Sequence, residues 1–142
     1  GYLQAKKHQE DAVIKSGIPY TVIRSTQFHE HVSTIISVQS IGRNVHVSGI
    51  DYQPIALQDV VDYLVKFALE PPKNEIIDIA GPDRGPMTSF VEKYLKAKGE
   101  DKIVVPNQDD KYMFHHMPKS GLVPIGNFHS GKIRFDEWMR NL

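Results

Sequence analysis

An α/β layered fold with a largely parallel sheet is what this sequence predicts. Helical and strand-like segments alternate along the chain, in the order α-β-α-β-α-β-α-β-α. The run Tyr20-Thr21-Val22-Ile23 is β-branched and aromatic without polar alternation, as in a strand buried on both faces. Ile76-Ile77-Asp78-Ile79-Ala80 is a second β-rich apolar run, and the stretch between the two is long enough for a crossover. Residues 19–24 and 76–80 are therefore expected as adjacent parallel strands.

The elements follow in order. Residues 2–16 are good helix formers without internal Gly or Pro, and Ser16-Gly17 is a stop. After the first strand, residues 30–39 are compatible with a second helix, and Val45-His46-Val47 with a short strand before Gly49. Asp59 to Leu69 carries an apolar stripe at helical spacing, with Asp59 as N-cap and Pro71-Pro72 as the stop. The second strand leads into Gly81-Pro82-Asp83-Arg84-Gly85-Pro86, then a helix from about Ser89 to Ala97. Ser89 and Glu92 have capping-box spacing, and Gly99 ends that helix. Ile103-Val104-Val105 is a third strand ending at Pro106, residues 107–131 read as irregular, and Phe135, Trp138, Met139 and Leu142 line one face of a terminal helix.

Bulk properties narrow the class. The 142 residues suffice for one compact domain, and 17 Lys+Arg balance 17 Asp+Glu. That balance gives no basic field for nucleic acid. The absence of cysteine excludes a disulfide framework and thiolate metal sites. No apolar run is long enough to span a bilayer and no signal peptide is recognisable, so a soluble, cytoplasmic protein is expected. Gly1 in place of an initiator Met is compatible with a trimmed chain or a piece of something longer.

Tyr2 and Lys6 carry the first chemical suggestion. At i and i+4 on a helix they share a face, where an ammonium favours the phenolate and suits the phenol to acid/base work on carbonyls or alcohols. The same spacing also occurs on ordinary solvated faces. The strand–loop–helix of residues 76–97 has the layout of a phosphate-binding turn, but Gly81 and Gly85 make no known fingerprint and Pro82 and Pro86 remove two donors. A plain connecting turn is expected there. His29/His31 and His115/His116 lack carboxylate partners at metal-ligand spacing, so no metal site is expected. Their functional reading is as pocket-lining groups beyond strand C-terminal ends, against surface or loop histidines.

The strings taken together resemble a family. Tyr2-x-x-x-Lys6-x-x-x-Glu10, followed by Ser16-Gly17-Ile18-Pro19-Tyr20-Thr21-Val22-Ile23-Arg24-Ser25-Thr26-Gln27-Phe28, is similar to the middle of an NmrA-like atypical short-chain dehydrogenase/reductase. Gln53-Pro54 with Asp59-Val60-Val61, Ala80-Gly81-Pro82, and Gly131 to Trp138 resemble that family's later segments in the same order. Ser25 stands where the family more often has Pro.

The resemblance implies the second half of a doubly wound, Rossmann-type parallel sheet plus a small C-terminal substrate-binding part. Residues 1–99 would be the sheet and helices, and residues 100–142 the substrate side, in a single incomplete α/β unit. It implies NAD or NADP as cofactor in the complete protein, with Tyr2 as acid/base and Lys6 on the nicotinamide ribose. Ser25, Thr26, Gln27 and Phe28 would lie beside the nicotinamide. Phe28, His29, His31, His115, His116 and the 112–129 segment would shape the substrate pocket. The implied activity is hydride transfer to a small carbonyl, quinone or similar acceptor, the alternative a non-catalytic, redox-sensing NAD(P)-binding regulator. Expected partners are the small-molecule substrate and either the missing N-terminal half or another copy of the chain, with neither nucleic acid nor membrane.

Overall fold

A computed structural model describes residues 1–107, 111–113 and 115–142. The chain begins with helix α1 (Tyr2–Lys15), followed by strand β1 (Thr21–Ser25), helix α2 (His31–Gln39), and strands β2 (Ser40–Ile41), β3 (Asn44–Ser48) and β4 (Asp51–Tyr52). Helix α3 (Leu57–Leu69), strand β5 (Glu75–Ala80), the short β6 (Gly85–Pro86) and helix α4 (Met87–Lys98) come next. Strands β7 (Ile103–Asn107), β8 (Lys111–Tyr112), β9 (His115–His116) and β10 (His129–Ser130) precede helix α5 (Phe135–Met139).

The expected parallel pair is present. Strand β1 lies parallel to β5, with Thr21 opposite Glu75 and Ser25 opposite Ile79. The sheet order is β1-β5-β10, and β10 is also parallel to β5. Among the described residues, strand β1 is thus an edge with one paired side. A second sheet, β2-β3-β7, joins an antiparallel hairpin to a parallel pair.

Several local expectations need correction. Asp59 is not an N-cap: α3 starts at Leu57 after Ala56, and Asp59 is buried in its first turn. Its Oδ2 accepts from the backbone N–H of Lys132 and Ile133, both at 3.0 Å. A tertiary bond has taken the carboxylate that local spacing assigned to its own helix end. Ser89 likewise lies inside α4, which starts at Met87 directly after Pro86. The third predicted strand, β7, runs through Pro106 and pairs with β3 in the second sheet. Proline is tolerated because β7 is an edge, where a missing N–H breaks no ladder on the outer side. The 107–131 stretch holds three short strands among its described residues. Leu142 stays exposed, so the terminal helix packs through Phe135, Trp138 and Met139.

Two apolar clusters result. The smaller one, Ile55, Val60, Phe67, Ile77 and Ile79, packs α3 onto the β1/β5 sheet. The larger one unites α2, α4, β3, β4, Tyr112 and Phe135. Helix α1 buries no residue and is tied to β1 by the Glu10–Arg24 ion pair. The arginine's hydrogen bonds hold the Glu10 carboxyl below its ordinary range. No described helix is long and apolar enough to cross a membrane.

Candidate functional site at the carboxyl edge of the parallel sheet

The loop after β1 is zipped into the body by its backbone. Thr26 N–H donates to Ile79 C=O at 3.1 Å, Ile55 N–H to Gln27 C=O at 2.9 Å, and His29 N–H to Ile55 C=O at 3.0 Å. Gln53 Nε2 donates to Gly81 C=O at 2.8 Å. A Cβ on Gly81 would lie 1.7 Å from Pro54 C=O, so only glycine permits this approach. Gly131 N–H then donates to Ala80 C=O at 2.7 Å, next to the Asp59 carboxylate that holds Lys132 and Ile133. The separate strings Gln53-Pro54, Asp59-Val60, Ala80-Gly81 and Gly131-Lys132-Ile133 therefore meet at the carboxyl ends of β1 and β5. Their sequence signals are weak singly because each serves a contact with a distant partner.

This scaffold holds a polar cluster. Gln27 Nε2 donates to the Tyr112 hydroxyl at 2.9 Å, and His31 Nε2 lies 2.5 Å from the same hydroxyl. Burial pushes the Tyr112 phenol up to about 12 and lowers the His31 imidazole below its ordinary value. Thr26 Oγ1 and Gln27 Oε1 are buried without a hydrogen-bond partner among the described residues. Such orphaned groups call for a reason, because an unpaired buried polar atom costs about 1–3 kcal/mol. Sequence reasoning named Tyr112 only as the first residue of the 112–129 segment and did not single it out, because that stretch has no periodicity and lies far along the chain from the residues it joins.

The remaining expected site residues are scattered. Ser25 is exposed and Phe28 is 38% exposed. His29 is fully buried, its ring 5.2 Å from Phe135 and 5.4 Å from Trp138. Its Nε2 lies 3.2 Å from Ile133 C=O, and burial lowers its pKa. His115 and His116 are exposed on β9, with His115 opposite Tyr112. Phe114, in the 112–129 segment, lies outside the described residues. On α1, Lys6 Nζ stands 5.7 Å from the centre of the Tyr2 ring, and Tyr2 is 74% exposed. The structure thus brings Gln27, His31 and Tyr112 together beside Thr26, but joins neither Tyr2 nor Lys6 to them by any described hydrogen bond.

Two concavities lie elsewhere among the described residues. An apolar groove of about 430 Å³ is lined by Ala12, Val13, Ile18 and Tyr20. Another of about 440 Å³ follows β5, lined by Asp83, Arg84, Lys93 and Arg134. Its three cations are paired with Asp51, Asp136 and Asp83, so they leave little field for an anion. No group of three or more His, Asp or Glu suited to a metal ion exists among the described residues.

No known family and no curated protein matches the chain by sequence. A solved structure, RMD from Pseudomonas aeruginosa complexed with NADPH, is similar in fold. The TM-score is 0.55 at 9% identity, over 92% of this chain and 48% of that one. The fold is Rossmann-like α/β. The chain spans about half the length of the structure it matches.

Proposed function

We propose that the chain forms the nicotinamide end and the substrate side of an NAD(P)-dependent oxidoreductase, of the NmrA-like atypical short-chain kind. The observation that carries this reading is the pair of orphaned buried atoms, Thr26 Oγ1 and Gln27 Oε1. They stand where a Rossmann-like sheet binds ligands, beyond the carboxyl ends of its parallel strands. A nicotinamide carboxamide offers the N–H donors that both oxygens lack. The likeness to an NADPH-complexed RMD supports the same ligand class. The dinucleotide would supply the hydride.

The chain's own residues would do the rest. Thr26 and Gln27 orient the carboxamide. Lys6 holds the ribose hydroxyls, and Tyr2 holds a proton for the oxygen of a small carbonyl, quinone or similar acceptor. The partner of the open β1 edge is the other half of the sheet or a second copy of the chain.

Thr26→Val keeps the shape and removes the hydroxyl. In the protein that carries this chain, NADPH affinity measured by fluorescence is expected to fall about tenfold, the value of one hydrogen bond. Unchanged affinity in Thr26→Val, or no dinucleotide binding by the parent protein, overturns the reading. Binding without turnover of any carbonyl or quinone would favour the regulator.

A further inference from the structure

We propose that helix α3 is the interface of a two-fold homodimer, packed antiparallel against α3 of a second copy with Leu64 at the axis. This interface does not depend on the oxidoreductase reading.

Helix α3 carries more apolar surface than the sheet covers. Its polar positions Gln58, Asp62 and Lys66 recur every four residues and form one narrow ridge, continued by Glu70. Val60, Tyr63 and Phe67 pack toward the parallel sheet. Asp59 and the Tyr63 hydroxyl bond the backbone of Lys132, Ile133 and Ser130. Leu57, Val61, Leu64, Val65 and Leu69 lie on another side, between 43% and 84% exposed. Their helical spacing puts them on one face about 18 Å long. Neither core cluster includes them. A contiguous stripe of this kind marks an interaction surface, unlike a lone exposed leucine.

The charges beside the stripe select a second copy as its occupant. In an antiparallel pair with Leu64 on the axis, residues equally far from Leu64 on opposite sides face each other. Asp62 then meets the partner's Lys66, Lys66 meets the partner's Asp62, and Gln58 meets the partner's Glu70. Neither Asp62 nor Lys66 enters a described ion pair. The Asp62 carboxylate accepts from Gln58 Nε2 at 2.9 Å, and the Lys66 ammonium lies over the Phe67 ring. A slip of one turn sets Asp62 against Asp62 in one direction and Lys66 against Lys66 in the other. The register is thus specified by repulsion as well as attraction. A net charge of zero leaves no overall repulsion between copies. One pair of helices makes a small interface, so a dissociation constant of about micromolar order is expected.

Sedimentation velocity on the protein that carries this chain should show a monomer–dimer equilibrium. Asp62→Lys and Lys66→Asp should each weaken the dimer at least about tenfold, since like charges then face each other twice. An equimolar mixture of the two variants should recover the dimer, because opposite charges then meet at both positions. A change confined to one helix cannot produce that recovery. Both positions are exposed, so the fold should survive the substitutions. Should a variant fail to fold, the wild-type protein decides. In a mixture of ¹⁴N- and ¹⁵N-labelled copies, carbodiimide should link Asp62 to Lys66 in a product of mixed isotope mass, and its absence overturns the proposal. A parent that stays monomeric to about 100 μM also overturns it, and means that another segment or a different partner covers the stripe. A dimer that neither charge variant weakens overturns it as well, and puts the interface elsewhere, as at the open edge of β1. So does a mixture that stays as monomeric as its separate variants.

Discussion

Tyr2 and Lys6 form a face-sharing pair, with the ammonium 5.7 Å from the centre of the phenol ring. The two side chains are expected to fail differently when altered. Lys6→Ala should weaken dinucleotide binding several-fold in the protein that carries this chain, because its proposed contact is made in the ground state. Tyr2→Phe should leave affinity near the parent value and lower kcat, because the hydroxyl acts only as the acceptor oxygen takes its proton. Calorimetry and steady-state rates on the two variants check this. Full turnover by Tyr2→Phe would remove the phenol from the chemistry.

Element-scale order depends on close approaches between segments distant in sequence. Gly81 follows β5 and lies against the backbone of Pro54, where an added Cβ would sit 1.7 Å from a carbonyl oxygen. Backbone cannot rotate aside as a flexible side chain can. Gly81→Ala should therefore cost about 3 kcal/mol, at the high end for overpacking. It should also disturb the loop carrying Thr26 and Gln27, since both lie on the segment bonded to Ile55. Urea denaturation gives the first number. As a control, Gly126→Ala introduces a Cβ into open space and should change little.

The whole molecule should lose stability as pH falls below neutrality. Burial lowers the pKa of His29, and of His31, relative to the unfolded chain. Their contribution is full above the unfolded imidazole value of about 6.5 and is lost as pH drops through the lower folded values. The melting temperature should thus be lower at pH 5 than at pH 7, and His29→Gln should flatten the difference. At still lower pH, protonation of Glu10 adds a smaller loss, because its partner Arg24 is half-exposed to solvent. Ligand affinity is also a property of the whole. The isolated 142-residue chain should bind NADH more weakly than micromolar. A few hydrogen bonds of about 1 kcal/mol each scarcely offset an immobilisation cost of roughly 4 kcal/mol or more. The edge strand β1 should also drive self-association of that chain, which light scattering would detect. A micromolar or tighter NADH constant for a confirmed 142-residue species would contradict this estimate of the site.

The sequence by itself determined the α/β class, the parallel pairing of β1 with β5 and nearly every helix. Those features rest on local information: apolar runs, helical spacing, and stops such as Gly99, which takes the left-handed conformation at the end of α4. The family resemblance also named the Thr26-Gln27 loop and His31 as expected site residues. Tertiary structure alone decided what these residues meet. Asp59 looked like a helix cap and instead fastens the Lys132-Ile133 backbone. Pro106 looked like a strand end and instead sits on a tolerant sheet edge. His29 was expected in a pocket; the structure places it in the interior against Phe135 and Trp138. Tyr112 was covered only by the broad 112–129 segment, because its hydrogen bonds span 85 residues to Gln27 and 81 to His31. Local patterning fixes which segments bury a face, whereas the pairing of polar atoms depends on which distant segments the packed core brings within about 3 Å.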